Sequence, residues 1–499
     1  MKATLHLDRE FTVGEVDKRL FGSFIEHLGR AVYGGIFEPG HPAADDSGFR
    51  RDVIELIREL GISLVRYPGG NFVSSFKWED SVGPRDLRPR RLDLAWRAVE
   101  PNLFGLNEFM AWSKELGTET MLALNLGTRG IEAASELVEY CNHPGGSYWS
   151  DLRRSHGAKE PHNVRLWSLG NELDGPWQVG QKTAEEYGRL AYETAKAIKL
   201  FDPSLELIAV GSSFETMPTF PQWEATVLDH CYEKVDYLSM HRYYNNRDND
   251  LKTFLGSSVG MEQFIRNVVA TCDYAQAKKR GKKRIDISFD EWNVWFHSLE
   301  SDKQVAPWTV GPPLLEDVYT FEDALVVGTM INALLRHADR VKIACMAQLV
   351  NVIAPIMTRN GGPSWRQTIF YPLYHASKYG RGISLEVKLR VPCYENATYG
   401  DVPWLDVSAV GAEDGSGLTL FAVNRSPDEP LQVEGALAGW DGLRLVGHTI
   451  LHDEDIKAVN DEAHPKRVVP SEREVKPGSA AALDLVLPPL SWNVLRFEA

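Results

Sequence analysis

Short apolar runs alternate with longer amphipathic stretches along this chain as far as about residue 385. Strands of a parallel sheet that is covered on both faces have continuous apolar runs, and the helices that connect them have one apolar face. Alternation of the two patterns is therefore typical of parallel strands with crossover helices. The predicted strands are Leu20–Glu26, Ser63–Arg66, Met121–Asn125, Val164–Ser168, Glu206–Val210, Val235–Met240, Ile285–Phe289 and Val341–Gln348.

Helical periodicity fills the segments between these strands. The helix that begins at Thr183 opens with Thr-Ala-Glu-Glu, a capping box, and ends before Pro203. Eight strands and their helices over roughly 360 residues predict a (β/α)8 barrel with long loops. The predicted helices are Asp52–Leu60, Leu103–Leu116, Thr183–Phe201, Met261–Lys279 and Phe321–Arg336.

Helical periodicity is absent beyond about Leu385. Short strand patterns separated by Gly, Pro and Asp follow, in Leu418–Asn424, Leu443–Leu451 and Leu483–Phe497, and they are typical of an antiparallel β-sandwich. The alternating start, Lys2–Phe11, is expected to join it. We therefore predict an α/β protein with a (β/α)8 barrel over residues 12–384 and a C-terminal antiparallel β-sandwich domain over 385–499 that includes the N-terminal strand 1–11.

The net charge of −15 argues against nucleic acid or an anionic membrane as the main partner. No apolar run approaches the ~20 residues that span a bilayer, and the first residues lack the apolar core of a signal peptide. The five cysteines are scattered and never in CxxC spacing, which argues against disulfides and a zinc site. A cytoplasmic location is expected. The basic run Lys278–Arg284 has the composition of a nucleic-acid patch, but it follows a predicted helix, and we interpret it as a solvated helix end.

Polar residues follow nearly every predicted strand. In a (β/α)8 barrel the active site lies at the C-terminal ends of the strands. Any one of these residues alone is better explained as a helix cap or a loop group, but the set indicates a site for a ligand with several hydroxyl groups, such as a sugar. The residues are Glu26, Arg66, Asn71, Asn125, Asn171, Glu172, Ser212, His241, Tyr243, Glu291 and Gln348.

Two of these residues, Glu172 and Glu291, end the apolar runs LWSLGNEL and IDISFDEW. Hydrolysis of a glycosidic bond needs two carboxyl groups that flank the bond. An apolar environment raises the pKa of a carboxyl group, as an acid catalyst requires. The alternative is that each glutamate caps a helix or pairs with an arginine. The residues alone do not assign the two roles. The indoles near the two glutamates in sequence are Trp167, Trp177, Trp292 and Trp295.

The chain strongly resembles family 51 of the glycoside hydrolases, the α-L-arabinofuranosidases. The resemblance extends over essentially the whole chain, and the PGGN and GNE blocks are specific in combination. The segments that carry it are LFGSFIEHLGRAVYGGIFEPGHP (Leu20–Pro42), VRYPGGNFVSSFKWEDSVGP (Val65–Pro84), WSLGNELDGPWQVG (Trp167–Gly180), SMHRYYNN (Ser239–Asn246) and DEWNVW (Asp290–Trp295).

The resemblance implies that Glu172 is the acid/base and Glu291 the nucleophile. It implies that Arg66 and His241 keep the nucleophile ionised and oriented, and that Trp96 and Trp177 border the leaving-group side. The substrate contacts that it implies are Glu26, Asn71, Asn171, Tyr243 and Gln348.

The implied activity is exo-acting removal of terminal α-L-arabinofuranosyl groups from arabinan, arabinoxylan or arabino-oligosaccharides, with retention of configuration and without a metal or cofactor. A homo-oligomer is expected, since relatives are often hexameric. The alternatives are a β-xylosidase or endoglucanase on the same barrel and a non-catalytic carbohydrate-binding protein. The preference among 1,2, 1,3 and 1,5 linkages stays open.

Overall fold

The computed structural model describes residues 1–440, 442–475 and 482–499. Eight parallel strands close into a barrel, each predicted strand supplying one of them. Their bounds are β1 (Gly22–Phe24), β2 (Leu64–Tyr67), β3 (Glu119–Ala123), β4 (Leu166–Ser168), β5 (Glu206–Ala209), β6 (Tyr237–Tyr244), β7 (Asp286–Val294) and β8 (Val341–Met346).

The barrel closes where β8 pairs with β1, with Cys345 opposite Gly22. A Cβ atom on Gly22 would lie 2.7 Å from the Ala344 carbonyl oxygen, so the absence of a side chain permits this closure. Strands β6 and β7 continue beyond their predicted ends, to Tyr244 and Val294. The longer strands place His241, Tyr243 and Glu291 on the barrel itself rather than in the loops that follow.

Helices cover the outside of the barrel. The predicted capping box is present, because Thr183 N donates to Glu186 Oε2 at 2.9 Å and Glu186 N donates to Thr183 Oγ1 at 3.3 Å. Among the described helices, none has the length and apolar character needed to cross a bilayer. The α-helices are Arg51–Leu60, Leu106–Leu116, Ile131–Asn142, Tyr148–Ser155, Ala184–Phe201, Gln222–Cys231, Leu251–Leu255, Ser257–Lys279, Leu299–Asp302, Phe321–Arg336 and Phe370–Tyr379.

The C-terminal part contains a four-stranded and a seven-stranded sheet with a separate apolar core between them, and a hairpin of Cys393–Asn396 and Gly400–Pro403. The N-terminal strand pairs with this part, and it runs parallel to Leu431–Ala438. The four-stranded sheet has the order Lys388–Arg390, Lys2–Asp8, Leu431–Ala438, Ala482–Leu487. The seven-stranded sheet has the order Thr12–Glu15, Ile383–Leu385, Leu405–Gly411, Gly417–Asn424, Ser491–Glu498, Arg444–Leu451, Ser471–Arg473.

The boundaries at residues 12 and 384 stay a proposal. Thr12–Glu15 and Ile383–Leu385 pair with each other at these boundaries, and both belong to the seven-stranded sheet. Helix Phe321–Arg336 is buried on nearly every side because this sheet packs against it from outside the barrel. One face of the seven-stranded sheet therefore belongs to the core of the barrel, and the core between the two sheets remains separate.

The basic run begins at the end of helix Ser257–Lys279, where Lys278 pairs with Asp229 on a neighbouring helix. This arrangement confirms the interpretation as a helix end. All five cysteines are free thiols.

Candidate active site

A cavity of about 660 Å³ opens at the C-terminal ends of the barrel strands. Among the sequence-predicted residues, Asn171, Arg66 and His241 lie behind its wall and contact the residues that line it. The predicted residues that line the cavity are Glu26, Asn71, Trp96, Glu172, Trp177, Tyr243, Glu291 and Gln348.

Glu172 and Glu291 face each other across this cavity. Each is 8% exposed, and one carboxylate oxygen of each lies within 4.8 Å of the other. Retaining glycosidases hold their two carboxyl groups about 5–5.5 Å apart, whereas inverting enzymes need about 6.5–9.5 Å to admit a water molecule. An approach this close favours the geometry of a retaining enzyme.

Glu172 lies in the loop that follows β4, with a left-handed backbone (φ 42°). This conformation is costly for a residue with a side chain, and such residues are enriched at functional sites. Both carboxylate oxygens accept a hydrogen bond. His241 Nδ1 lies 2.9 Å from Oε1, and Trp177 Nε1 donates to Oε2 at 2.6 Å.

Glu291 lies on β7, directly opposite His241 of β6 in the strand register. Tyr243 donates its hydroxyl to Glu291 Oε1 at 2.7 Å, and Arg66 Nη1 donates to Oε2 at 3.0 Å. These donors hold the carboxylate from two sides, and the guanidinium compensates its charge.

Arg66 also links the glutamate pair to the amide side chains of the cavity. Its Nη2 donates to Asn171 Oδ1 at 2.5 Å, and Asn171 Nδ2 donates in turn to Asn71 Oδ1 at 3.1 Å. Gln178, which the sequence reasoning missed, accepts from Asn171 Nδ2 at 3.3 Å. The network fixes the orientation of both asparagine amides.

Glu26 forms the opposite wall with three donors around its carboxyl group. Phe72 N and Trp96 Nε1 donate to Oε1 at 2.9 and 2.8 Å, and Gln348 Nε2 donates to Oε2 at 3.0 Å. Burial raises the pKa of Glu26 to about 8, although these hydrogen bonds lower it. Glu26 therefore carries a proton for much of the time at neutral pH and can donate to a ligand.

Asp290 is a second residue that the sequence reasoning missed. Its oxygens lie 3.3 Å from His241 Nε2 and 3.6 Å from Arg66 Nε. Burial would raise the pKa of Asp290, but the cationic Arg66 and His241 lower it below its usual range. The available signal was an acidic residue inside a buried strand, which is rare unless it is paired.

His241 is cationic at neutral pH. Burial alone would lower its pKa, but the surrounding carboxylates of Glu291, Asp290 and Glu172 raise it to about 10. A charged imidazole between three carboxylates neutralises part of the negative charge that the site concentrates.

The pKa of Glu172 is raised by burial and by the negative charge of Glu291. The predicted role of the indoles is wrong in part. Trp167 is fully buried and donates to the Val164 carbonyl, away from the cavity, whereas Trp177 reaches Glu172. The Trp177 hydrogen bond lowers the pKa of Glu172, because an N–H donor stabilises the carboxylate.

Two strand-end candidates lie outside the cavity wall. Asn125 bonds the Phe76 carbonyl and orders its own loop, and Ser212 N donates to buried Glu224. The cavity has further lining residues. Trp295 is one of the indoles noted near Glu291 in the sequence, and Arg242 lies on β6. The others had no clear sequence signal, because they lie in the loops after the strands: Ser213, Phe214, Thr216, Asn245 and Arg247.

Glu172, His241 and Glu291 are also close enough together to hold a metal ion. Each of the three groups already has a protein partner, because His241 Nδ1 lies 2.9 Å from Glu172 and both Arg66 and Tyr243 donate to Glu291. The donors are better explained as an acid–base network.

Two family models match the chain. The α-L-arabinofuranosidase 1 domain matches residues 56–256, and the α-L-arabinofuranosidase C-terminal domain matches residues 290–491. The chain is 58% identical to an intracellular exo-α-(1→5)-L-arabinofuranosidase from Halalkalibacterium halodurans, over 99% of each chain. It is 48% identical to an exo-α-(1→6)-L-arabinofuranosidase from Bifidobacterium longum, over 100% of this chain and 97% of the relative.

A solved family 51 α-L-arabinofuranosidase from Bifidobacterium longum superposes with a TM-score of 0.95 at 44% identity, over 99% of each chain. A likeness of this extent covers the barrel, the sandwich and the loops that build the cavity. The chain belongs to the α-L-arabinofuranosidases, glycoside hydrolase family 51.

Proposed function

We propose that this chain is an exo-acting α-L-arabinofuranosidase that hydrolyses terminal α-L-arabinofuranosyl groups with retention of configuration. The observation that carries the proposal is the close approach of Glu172 and Glu291 in one cavity, with oxygens within 4.8 Å. The arabinofuranosyl specificity rests on the family.

In the first step, a Glu291 oxygen attacks the anomeric carbon while Glu172 transfers its proton to the leaving oxygen. The glycosidic bond breaks and a glycosyl ester of Glu291 forms. In the second step, Glu172 takes a proton from water, the water oxygen attacks the anomeric carbon, and the ester bond to Glu291 breaks. Two inversions give net retention.

The other cavity residues bind and orient the sugar in this proposal. Glu26, Asn71, Tyr243 and Gln348 present hydrogen-bonding groups to its hydroxyls, Asn171 supports Asn71 from behind the wall and is proposed as a further contact, and Arg66 and His241 hold the two glutamates. Trp96 and Trp177 border the leaving-group side. The proposed mechanism uses no metal or cofactor.

Arabino-oligosaccharides with α-(1→5) linkages are the proposed substrates, because the relative named for that linkage is more similar in sequence than the one named for α-(1→6). An intracellular location is proposed on the name of the same relative. A homo-oligomer is proposed as well, and light scattering on the purified protein measures it.

A panel of aryl glycosides tests the activity. Aryl α-L-arabinofuranoside should be hydrolysed faster than aryl β-D-xylopyranoside by about 10⁴-fold, because a sugar that lacks a partner leaves buried polar groups unpaired. Proton NMR should show the retained anomer first. Equal hydrolysis of the xyloside or faster cleavage of cellulose would favour a xylosidase or endoglucanase, and binding without turnover would favour a carbohydrate-binding protein.

A further inference from the structure

The side chain that donates a hydrogen bond to Glu172 from the mouth of the cavity is an exposed tryptophan, Trp177. Trp177 Nε1 donates to Glu172 Oε2, while His241 occupies Oε1. Trp177 is 42% exposed at the mouth of the cavity, whereas His241 is 2% exposed. Oε2 is therefore the oxygen on the mouth side, where a leaving group departs.

Gly175 leaves room for the indole of Trp177 to lie directly against the backbone. A Cβ atom on Gly175 would lie 2.5 Å from Cε2 and Cζ2 of Trp177, closer than real Cβ atoms approach any neighbour. Gly175 is not in the left-handed region, so its backbone does not require glycine. The indole occupies the space that a side chain at Gly175 would fill.

The indole also stacks on Phe214, with ring centroids 5.8 Å apart and planes 13° from parallel. The loop that carries Phe214 is fixed by its neighbour Ser213. Ser213 N and Oγ both donate to buried Asp174, at 3.0 and 2.5 Å. Because Asp174 belongs to the same loop as Glu172, one loop anchors both the carboxylate and the ring that supports its donor.

We propose that Trp177 is a positioning residue for Glu172, aimed by Gly175 and Phe214, and that its N–H bonds Oε2 when Glu172 is a carboxylate and leaves Oε2 when that oxygen carries a proton. The inference rests on the proposed acid/base role of Glu172. The bond favours the base form that the second step needs, and its release frees Oε2 to protonate the leaving oxygen.

Loss of the Trp177 hydrogen bond should change the pKa of Glu172 in one direction. An N–H donor stabilises the carboxylate and so lowers the pKa of Glu172. Loss of the donor raises that pKa, and the protonated form then persists to higher pH. The alkaline limb of kcat/KM should move up by about one pH unit, the size expected for one hydrogen bond to a charged group. Release of the sugar from Glu291 should slow about tenfold at neutral pH.

Two variants remove the hydrogen bond in different ways, and both keep an aromatic ring at position 177. Trp177→Phe keeps an aromatic ring and removes the N–H, whereas Gly175→Ala keeps the indole and displaces it. Both should shift the alkaline limb upward. Gly417→Ala is the control, since a Cβ there meets no atom closer than 3.5 Å and the residue lies in the sandwich. Its pH profile should match that of the unmodified protein.

A measurement that does not depend on hydrolysis completes the test. In protein labelled with 5-fluorotryptophan, the ¹⁹F resonance that Trp177→Phe removes should titrate with pH, and Glu172→Gln should abolish that titration. Failure of the aryl glycoside panel would reject the proposed function, yet this titration would still report on the bond. A resonance that does not respond to Glu172, or an unshifted limb in both variants, would overturn the positioning role.

Discussion

The two glutamates hold different partners, and these partners predict different behaviour when each glutamate is removed. Glu291 is bonded by Arg66 and Tyr243 inside the barrel, whereas Glu172 is bonded by His241 and half-exposed Trp177 at the mouth. Glu291 is thus placed to attack and Glu172 to exchange protons with groups that enter and leave.

Glu291→Ala should lose nearly all turnover, because no covalent intermediate can form. Glu172→Ala should lose about 10²–10⁴-fold on natural substrates, the usual contribution of general acid–base catalysis. On an aryl arabinofuranoside with a good leaving group, Glu172→Ala should still form the intermediate, and added azide should accelerate its release. Equal losses that azide does not change in either variant would mean that the roles are misassigned.

The raised pKa of His241 predicts that this residue stabilises the folded protein to an extent that depends on pH. Its pKa is raised from 6.5 to about 10 in the folded protein, so the stabilisation is complete below pH 6.5 and is lost as the pH rises towards 10. The thermal unfolding midpoint of His241→Asn should therefore lie furthest below that of the unmodified protein near pH 6, with the gap closing towards pH 10. Surface residue His464 gives the control variant His464→Asn. A gap that is constant with pH would contradict the assignment of charge to His241.

At the scale of elements, the PGGN turn after β2 shows how backbone shape builds the site. Gly70 has φ 37°, and a Cβ atom on it would lie 2.1 Å from Glu26 Oε2. Glycine is required at position 70 for two reasons: its backbone conformation and the room that it leaves beside the Glu26 carboxyl group.

Gly70→Ala should lower kcat/KM by about 10²-fold, because displacement of a contact group by about 1 Å has effects of that size. Gly400→Ala is a matched control, since Gly400 also has a positive φ but no atom lies within 4 Å of a Cβ built there. The control should lose stability and keep its activity. Steady-state kinetics and thermal unfolding of both variants separate strain from displacement, and unchanged kinetics in Gly70→Ala would refute the role of the turn.

At the scale of the whole molecule, a buried ionic cluster joins the barrel to the sandwich. Asp406 of the seven-stranded sheet accepts from Arg425 at 2.7 Å and from Asn332 of helix Phe321–Arg336 at 2.7 Å, and it lies 3.1 Å from Arg336. Burial would raise the pKa of Asp406, but the two arginines lower it below its usual range.

Asp406→Asn should destabilise the protein by about 3 kcal/mol at neutral pH, since it removes the carboxylate that pairs with buried Arg425 and leaves Arg336 paired with Glu262 alone. A group with a lowered pKa stabilises above the unfolded value and loses that effect as the pH falls through its folded value, so the difference should shrink in strong acid. Chemical denaturation at several pH values measures it. Asp401→Asn, on an exposed hairpin, is the control and should change little.

Local patterns in the sequence located the eight barrel strands and the five helices named from it, whereas helices such as Ile131–Asn142 and Gln222–Cys231 appear only in the structure. An apolar run or a 3.6-residue period reports which side of an element is buried, and each predicted strand of the barrel is confirmed. The position of an active site at the C-terminal ends of barrel strands then follows from the architecture, which is why strand-end residues of the cavity wall such as Glu26, Glu172 and Glu291 could be predicted.

Only the tertiary structure decided which side chains contact each other in the site. Arg66 and Glu291 are 225 residues apart and meet only because the barrel closes. The pairing of Asp290 with Arg66 and His241, the direction in which Trp167 points and the room that Gly175 leaves for Trp177 depend on side-chain orientation across elements. Periodicity along one strand contains no information about these contacts, because it describes the face of an element and not what another element places against it.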